Sequence, residues 1–545
     1  MPLDAQDMNE SHSHYEKDWA SLSKFKGLPG TRRYNLLHSN EAPFDTELTD
    51  FRNVITKTGA PLTRLDDEIA RTRRHLQDLQ GRRAELWSFR ERNRGVLSPL
   101  RRVPSEVLGE IFQWALPLPQ EIRYRDDFKI SDSPWNLTHV CRRWRDVAIS
   151  KASLWSLVVI KYGDHVNSSR LYPLPMVETQ IERAQSHSLR IHFYGDEDAK
   201  SEPQIQVLEC LMRYMSRWEE LSIGLTSFLY PILERTGGHL PVLRRLWIEW
   251  LRLESQQSGG PITAFKRAPS LVDAAVYSVH MYTPVLLPIG QLTRYQLDAP
   301  WKAHRDILAL APNLVEARIA VRHDEESWPD PPESNKKYLQ LALVKRLYVS
   351  HLAILQYITF PALEEFAIDL DMGDVLSVAR YLKTSVNRSF DSESSCTLRS
   401  LCVAGCPIPS STLVQFPSVT EFRILLNDNT APSKALDLLL ADLTVSPDAE
   451  HAIVAPQLRE ISIGYQLNEP QFVISPYLAM LESRCNISGT ALCTAALVSV
   501  SKIRREPETK RRMRALREKG LRFEYVAGTR GETELPGWTF CSTWS

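Results

Sequence analysis

One short phrase recurs along most of this chain: an apolar residue, two polar or charged ones, an apolar residue, one variable, an apolar residue. It reads WEELSI at Trp218–Ile223 and LRRLWI at Leu243–Ile248, and returns at Leu292–Leu297, Leu314–Ile319, Val344–Val349, Leu363–Ile368, Leu398–Val403, Val419–Ile424 and Leu458–Ile463. Weaker copies sit at Leu189–Phe193, Leu271–Val276 and Leu521–Tyr525. The apolar-variable-apolar ending predicts a short strand with one face buried, because successive side chains of a strand point to opposite faces. A single copy cannot bury such a face, whereas stacked copies share one continuous core. Copies recur at intervals of about 20 to 40 residues, long enough for a returning helix or loop. Glu202–Trp218 and Lys434–Leu443 have the helical periodicity that such returns need. Pro476–Lys519 reads as a long, mostly helical interruption, and Gly531–Ser545 as an irregular tail.

Ahead of these phrases lie two apolar helical segments. In LSPLRRVPSEVLGEIFQWAL (97–116), Val107, Leu108, Ile111, Phe112 and Ala115 recur at helical spacing, and Pro104 falls where an opening turn tolerates proline. In PWNLTHVCRRWRDVAISKASLW (134–155), Ser133-Pro134 is a start signal, and Leu137, Val140, Cys141, Trp144 and Ala148 repeat along one side. Helices this short must pack on each other and on something further.

These segments resemble an F-box. The matching residues are Val103-Pro104-Ser105-Glu106-Val107-Leu108, Ile111-Phe112, Val140-Cys141, Trp144, Val147-Ala148 and Leu154-Trp155. The resemblance covers about a tenth of the chain and departs from the family in two places. Val103 stands where the family has leucine, and a polar insert, residues 117–132, separates the helices, as in the F-box-like families of mushroom-forming fungi. The strand phrases behind them resemble an irregular leucine-rich-repeat solenoid.

The resemblance implies a substrate-recognition subunit of an SCF-type ubiquitin ligase, non-catalytic itself. Its F-box would dock on a Skp-type adaptor and through it a cullin, while the solenoid would hold a target protein. The residues it assigns to the adaptor are Leu100, Pro104, Leu108, Ile111, Val140, Cys141, Trp144, Leu154 and Trp155. Some of them must form the module's own core, and the pattern does not separate the two roles. The alternative from a different class is an assembly scaffold that uses the F-box and a coiled-coil helix outside any ligase.

That helix is legible in a heptad. Leu62, Leu65, Ile69, Leu76, Leu79 and Leu86 occupy a and d positions, with Thr72 and Arg83 interrupting. The stripe suits either packing beside the F-box or weak self-association through 62–90. The expected organisation is therefore α/β overall: a polar, disordered tail (1–58), a coiled-coil-like helix (60–94), an all-α F-box-like domain (97–160), a solenoid (161–530) and a tail (531–545).

Composition narrows the chemistry. Lys+Arg and Asp+Glu balance at 66 each, so no net field draws the chain to nucleic acid or membrane. The N-terminal segment is polar and acidic, no apolar run reaches membrane-span length, and eight cysteines show no regular framework. Reduced thiols in cytoplasm or nucleus are the expected setting. Cys396, Cys402 and Cys406 lack a standard zinc spacing, and no phosphate-binding or nucleophile-elbow motif is present. No catalytic residue, cofactor or metal is expected. The basic run 501–519 is interleaved with Glu506, Glu508 and Glu518 and reads as a solvated helix face.

Overall fold

A computed structural model describes residues 25–116, 134–162, 174–197, 200–237, 239–250, 252–257, 259–278, 280–322, 339–370, 377–387, 398–426, 433–445, 453–466, 474–486, 491–501 and 507–540. The insert 117–132, residues 1–24 of the expected tail, the extreme C-terminus and Cys396 lie outside them. The chain divides into two compact units, Met1–Pro104 and Ser105–Ser545. That boundary cuts through the expected 97–160 domain.

In the first unit a short helix, α1 (Arg32–His38), precedes a 52-residue helix, α2 (Asp45–Val96). The long helix therefore starts at Asp45 and not near residue 60, and the region before it is not featureless. Local chemistry accounts for this. The Thr31 side chain accepts from the Tyr34 amide to cap α1, and Glu47 accepts from the Phe44 amide at 2.8 Å to open α2. Glu47 also takes Arg32 Nε at 2.9 Å, and Arg33 lies over the Phe51 ring at 4.9 Å. The Phe44 amide, with Arg32, holds the Glu47 carboxyl below its ordinary range.

The second unit is mixed α/β around one 14-stranded sheet whose strand order is the order in sequence. The strands are β1 (Leu157–Lys161), β2 (Leu189–Tyr194), β3 (Trp218–Leu225), β4 (Arg245–Trp250), β5 (Asp273–Tyr277), β6 (Arg294–Ala299) and β7 (Glu316–Val321). Then follow β8 (Arg346–Val349), β9 (Glu365–Leu370), β10 (Ser400–Gly405), β11 (Glu421–Leu426), β12 (Glu460–Tyr465), β13 (Thr494–Ser499) and β14 (Arg522–Ala527). All neighbours pair in parallel. Every recurrent phrase forms one strand. Two strands of this sheet escape the phrase reading: β1, which places the domain boundary drawn at 160/161 inside a strand, and β13, which splits the expected helical stretch into helices Ile474–Cys485 and Pro507–Glu518.

Register explains why the phrase has its form. Its second and third apolar positions align from strand to strand, as in Leu221–Leu246–Ala274–Tyr295 and Ile223–Ile248–Val276–Leu297, and are buried. Return helices of unequal length, such as Ser201–Met212 and Tyr230–Glu234, account for the uneven intervals between copies. The buried Tyr477 hydroxyl ties helix Ile474–Cys485 to the sheet, donating to the Ile461 carbonyl at 2.8 Å.

On the opposite face the phrase's third residue forms a row of alternating sign: Arg190, Glu220, Arg245, Asp273, Arg294, Glu316, Arg346 and Glu365, one per strand from β2 to β9. Arg245 meets Glu220 at 2.8 Å, and Arg294 meets Asp273 at 3.6 Å and Glu316 at 2.8 Å. Arg346 meets Glu316 at 2.8 Å and Glu365 at 3.0 Å. A one-residue slip would send these charges into the apolar layer, so the row specifies register as well as contributing energy.

The C-terminal segment is helical over Thr529–Trp538, which corrects the expected irregular tail. Its Leu535 and Trp538, with Phe540, join Tyr348, Cys402, Leu425, Val498 and Val526 in one apolar cluster on the face that carries the charge row. Two glycines allow the approach. A Cβ on Gly464 would lie 2.5 Å from Leu535 Cδ2, and one on Gly531 would lie 2.2 Å from the Ser499 carbonyl oxygen. Gly531→Ala is expected to cost about 1–3 kcal/mol by forcing the helix off the sheet. Thermal unfolding checks this, and an unchanged midpoint contradicts it.

Buried titratable groups give the fold a pH dependence. Burial, with Arg190 nearby, lowers His192 to about 3, and neither of its ring nitrogens has a hydrogen-bond partner among the described residues. Burial lowers His304 to about 4, although its ring bonds the Tyr295 hydroxyl and the Ala320 carbonyl. Below pH 6.5 the unfolded chain takes a proton at each while the folded chain does not, so stability falls as pH drops toward 4. Asp273 acts with opposite sign: burial raises it from 3.8 to about 7, and its contribution grows as pH falls through that window. Burial also raises Glu220 and Glu534, which act with the same sign as Asp273. His192→Phe is expected to move the acid-unfolding midpoint, followed by circular dichroism, to lower pH; an unmoved midpoint contradicts this.

Candidate protein-docking face

The helical segment of the second unit comprises α3 (Ser105–Trp114), α4 (Leu137–Val140), α5 (Arg142–Ser150) and a 3-10 turn over Ala152–Trp155. The stretch 134–155 is thus two helices and a turn where one helix was expected. Cys141 is the break: its backbone is extended (φ −162°, ψ 170°), and its sulfur accepts the Trp144 amide at 3.4 Å as the N-cap of α5. Arg145 Nε donates to the Thr138 carbonyl at 2.9 Å and holds α5 against α4.

Packing divides α3 into two sides. Leu108, Gly109 and Phe112 are buried, with the Phe112 ring 4.8 Å from that of the half-buried Trp144. Gly109 permits the approach to α5, since a Cβ there would lie 2.9 Å from Lys151 Cδ. Lys151 pairs with Glu110 across the same contact. Beneath them Trp155 is fully buried, donates from Nε1 to the Ala148 carbonyl at 2.7 Å, and meets the Trp135 ring edge-on at 4.9 Å. The Arg183 guanidinium lies over both rings, at 4.4 and 4.8 Å. Gln180 Nε2 donates to the Leu157 carbonyl at 2.7 Å, so the segment runs into the first strand as one packed body.

The other side of α3 carries Val107, Ile111 and Trp114 at i, i+4 and i+7, which are 49%, 42% and 88% exposed. Val140 and Cys141 are exposed at the α4–α5 break. These exposed apolar groups make this side of the module a candidate docking face.

The nine residues expected to meet an adaptor therefore separate. Ile111, Val140 and Cys141 are at the surface, Trp144 is half-buried, and Leu108, Leu154 and Trp155 are fully buried and belong to the core. Leu100 and Pro104, in the first unit, are exposed. Val107 and Trp114 were not among the nine. The i, i+4, i+7 spacing 107–111–114 was their signal, masked because the interleaved Leu108 and Phe112 made the helix look like one apolar face.

Among the described residues no three His, Cys, Asp or Glu side chains are grouped to hold a metal. Burial pushes the Cys402 thiol up to about 12, which leaves no thiolate there at neutral pH. Trp247 and Trp250 are buried, with Trp247 Nε1 donating to Glu249 at 3.4 Å, so neither is a free anchor. Arg512 in the basic run is clamped by Glu482 at 2.8 and 2.9 Å. No helix among the described residues is long and apolar enough to cross a membrane. Compared with known proteins, the chain matches no family model and no curated protein.

Proposed function

We propose that this chain is a non-catalytic substrate receptor of an SCF-type ubiquitin ligase. Its F-box-like helices dock on a Skp-type adaptor, and a leucine-rich-repeat-like solenoid built on the 14-stranded sheet holds a target protein. The observation that carries the reading is the divided α3: a buried side anchored on Leu108 and Phe112, and an exposed apolar side of Val107, Ile111 and Trp114. A helix buried on one side only for its own sake has no need of large apolar groups on the other, where α3 carries them beside Glu106 and Glu110. In this role the chain does no bond chemistry. It raises the effective concentration of a target lysine near the ubiquitin thioester.

Co-precipitation of adaptor and cullin with the full chain tests the reading, against a Val107→Glu variant whose charge falls on the exposed side. The expected result is capture by the parent chain and loss in the variant. Failure of the parent chain to bring down adaptor overturns it. A second reading, an assembly scaffold outside any ligase, draws support from α2, which has no buried residue along its 52 residues.

A further inference from the structure

We propose that α2 mediates a parallel, in-register homodimer. At 1.5 Å per residue, its 52 residues make a rod about 78 Å long. Most helices in proteins depend on packing of one face, and no residue of α2 is buried. Here that face is open, with Thr72 and Arg83 interrupting it: Leu62, Leu65, Ile69, Leu76, Leu79 and Leu86 are 38–70% exposed. The same heptad extends back through Ile55, Phe51 and Leu48, where α1 begins to shield it through Arg33 on the Phe51 ring.

Charge complementarity selects a second copy of this chain as the occupant. With Leu62, Ile69 and Leu76 at a positions, the g residues are Glu47, Val54, Pro61, Glu68, His75, Arg82 and Phe89. In a parallel pair each g residue meets the e residue five positions on in its partner. Glu47 then faces Arg52 and Glu68 faces Arg73, while Arg82 and Phe89 face Trp87 and Arg94, cation-and-ring combinations. Among these g–e pairs no two like charges meet. An antiparallel pairing centred on the same stripe sets Arg73 against Arg73 of the second copy. Arg83 and Arg90, at a positions, meet their own copies in the parallel form; polar a residues of this kind cost stability and fix register. The dimer does not depend on adaptor docking, and it would present two target-holding sheets to one assembly.

Sedimentation velocity of the full chain at micromolar concentration should give twice its 62.4 kDa mass. Ile69→Lys with Leu76→Lys should raise the dissociation constant at least 100-fold without loss of helix signal, since both side chains are exposed. Leu65→Cys, oxidised and mapped by mass spectrometry, should yield a link between identical peptides. A parent chain that stays monomeric at 50 μM overturns the proposal. So does a dimer unaffected by the double lysine variant, or efficient linkage of residue 65 to residue 83 in a Leu65→Cys/Arg83→Cys chain.

Discussion

Trp155→Ala is expected to unfold the helical segment while leaving most of the sheet intact. The side chain is fully buried, and its loss removes the edge contact with Trp135, the seat of the Arg183 guanidinium and the bond to the Ala148 carbonyl. Large-to-small changes of buried tryptophan cost about 3–5 kcal/mol, comparable to the local stability of a small helical module. Hydrogen exchange of amides 142–155 should lose protection accordingly. Trp114→Ala, at a side chain 88% exposed, should change protection by less than about 0.5 kcal/mol. Equal effects of the two changes would contradict the division of the segment into core and surface.

Glu316→Arg is expected to be comparably damaging at the centre of the sheet. Glu316 bridges Arg294 and Arg346 and its side chain is only 12% exposed. Removing one partner of a largely buried pair costs about 3–5 kcal/mol, and reversal adds repulsion among three adjacent cations. Arg294 would keep Asp273 at 3.6 Å, and Arg346 would keep Glu365 at 3.0 Å and the Phe540 ring at 4.7 Å. Chemical denaturation should show the loss, and a compensating Arg346→Glu change should restore part of it. A variant as stable as the parent would mean that the row of alternating charge does not hold register.

The strands were legible where polar and apolar positions contrast. β4, with Arg245 and Glu249 between Leu246 and Ile248, carries that contrast, and the phrase marks it. β13 fits the same spacing as Leu492-Cys493-Thr494-Ala495-Ala496-Leu497, but its alanines read equally as helix. β1 has Leu157 and Val159 on the face where other strands carry charge, so alternation vanishes. The break at Cys141 was hidden because a thiol is an uncommon N-cap. Gly531, Pro536 and Gly537 disguised the C-terminal helix, whose stability comes from Leu535 and Trp538 seated on the sheet. For the candidate site, the residue types were readable in sequence. Which of them face outward was not, because Leu108 and Ile111 differ in role only through what α5 and the 3-10 turn cover.

On the proposed reading, this outward side of α3 docks a Skp-type adaptor. Calorimetric titration of purified adaptor into the full chain and into an Ile111→Glu variant tests it most directly. Saturable one-to-one binding tighter than about 1 μM is predicted for the parent, weakened at least ~100-fold in the variant with unchanged circular dichroism. Absence of binding to the parent chain, or equal binding by both, would contradict it.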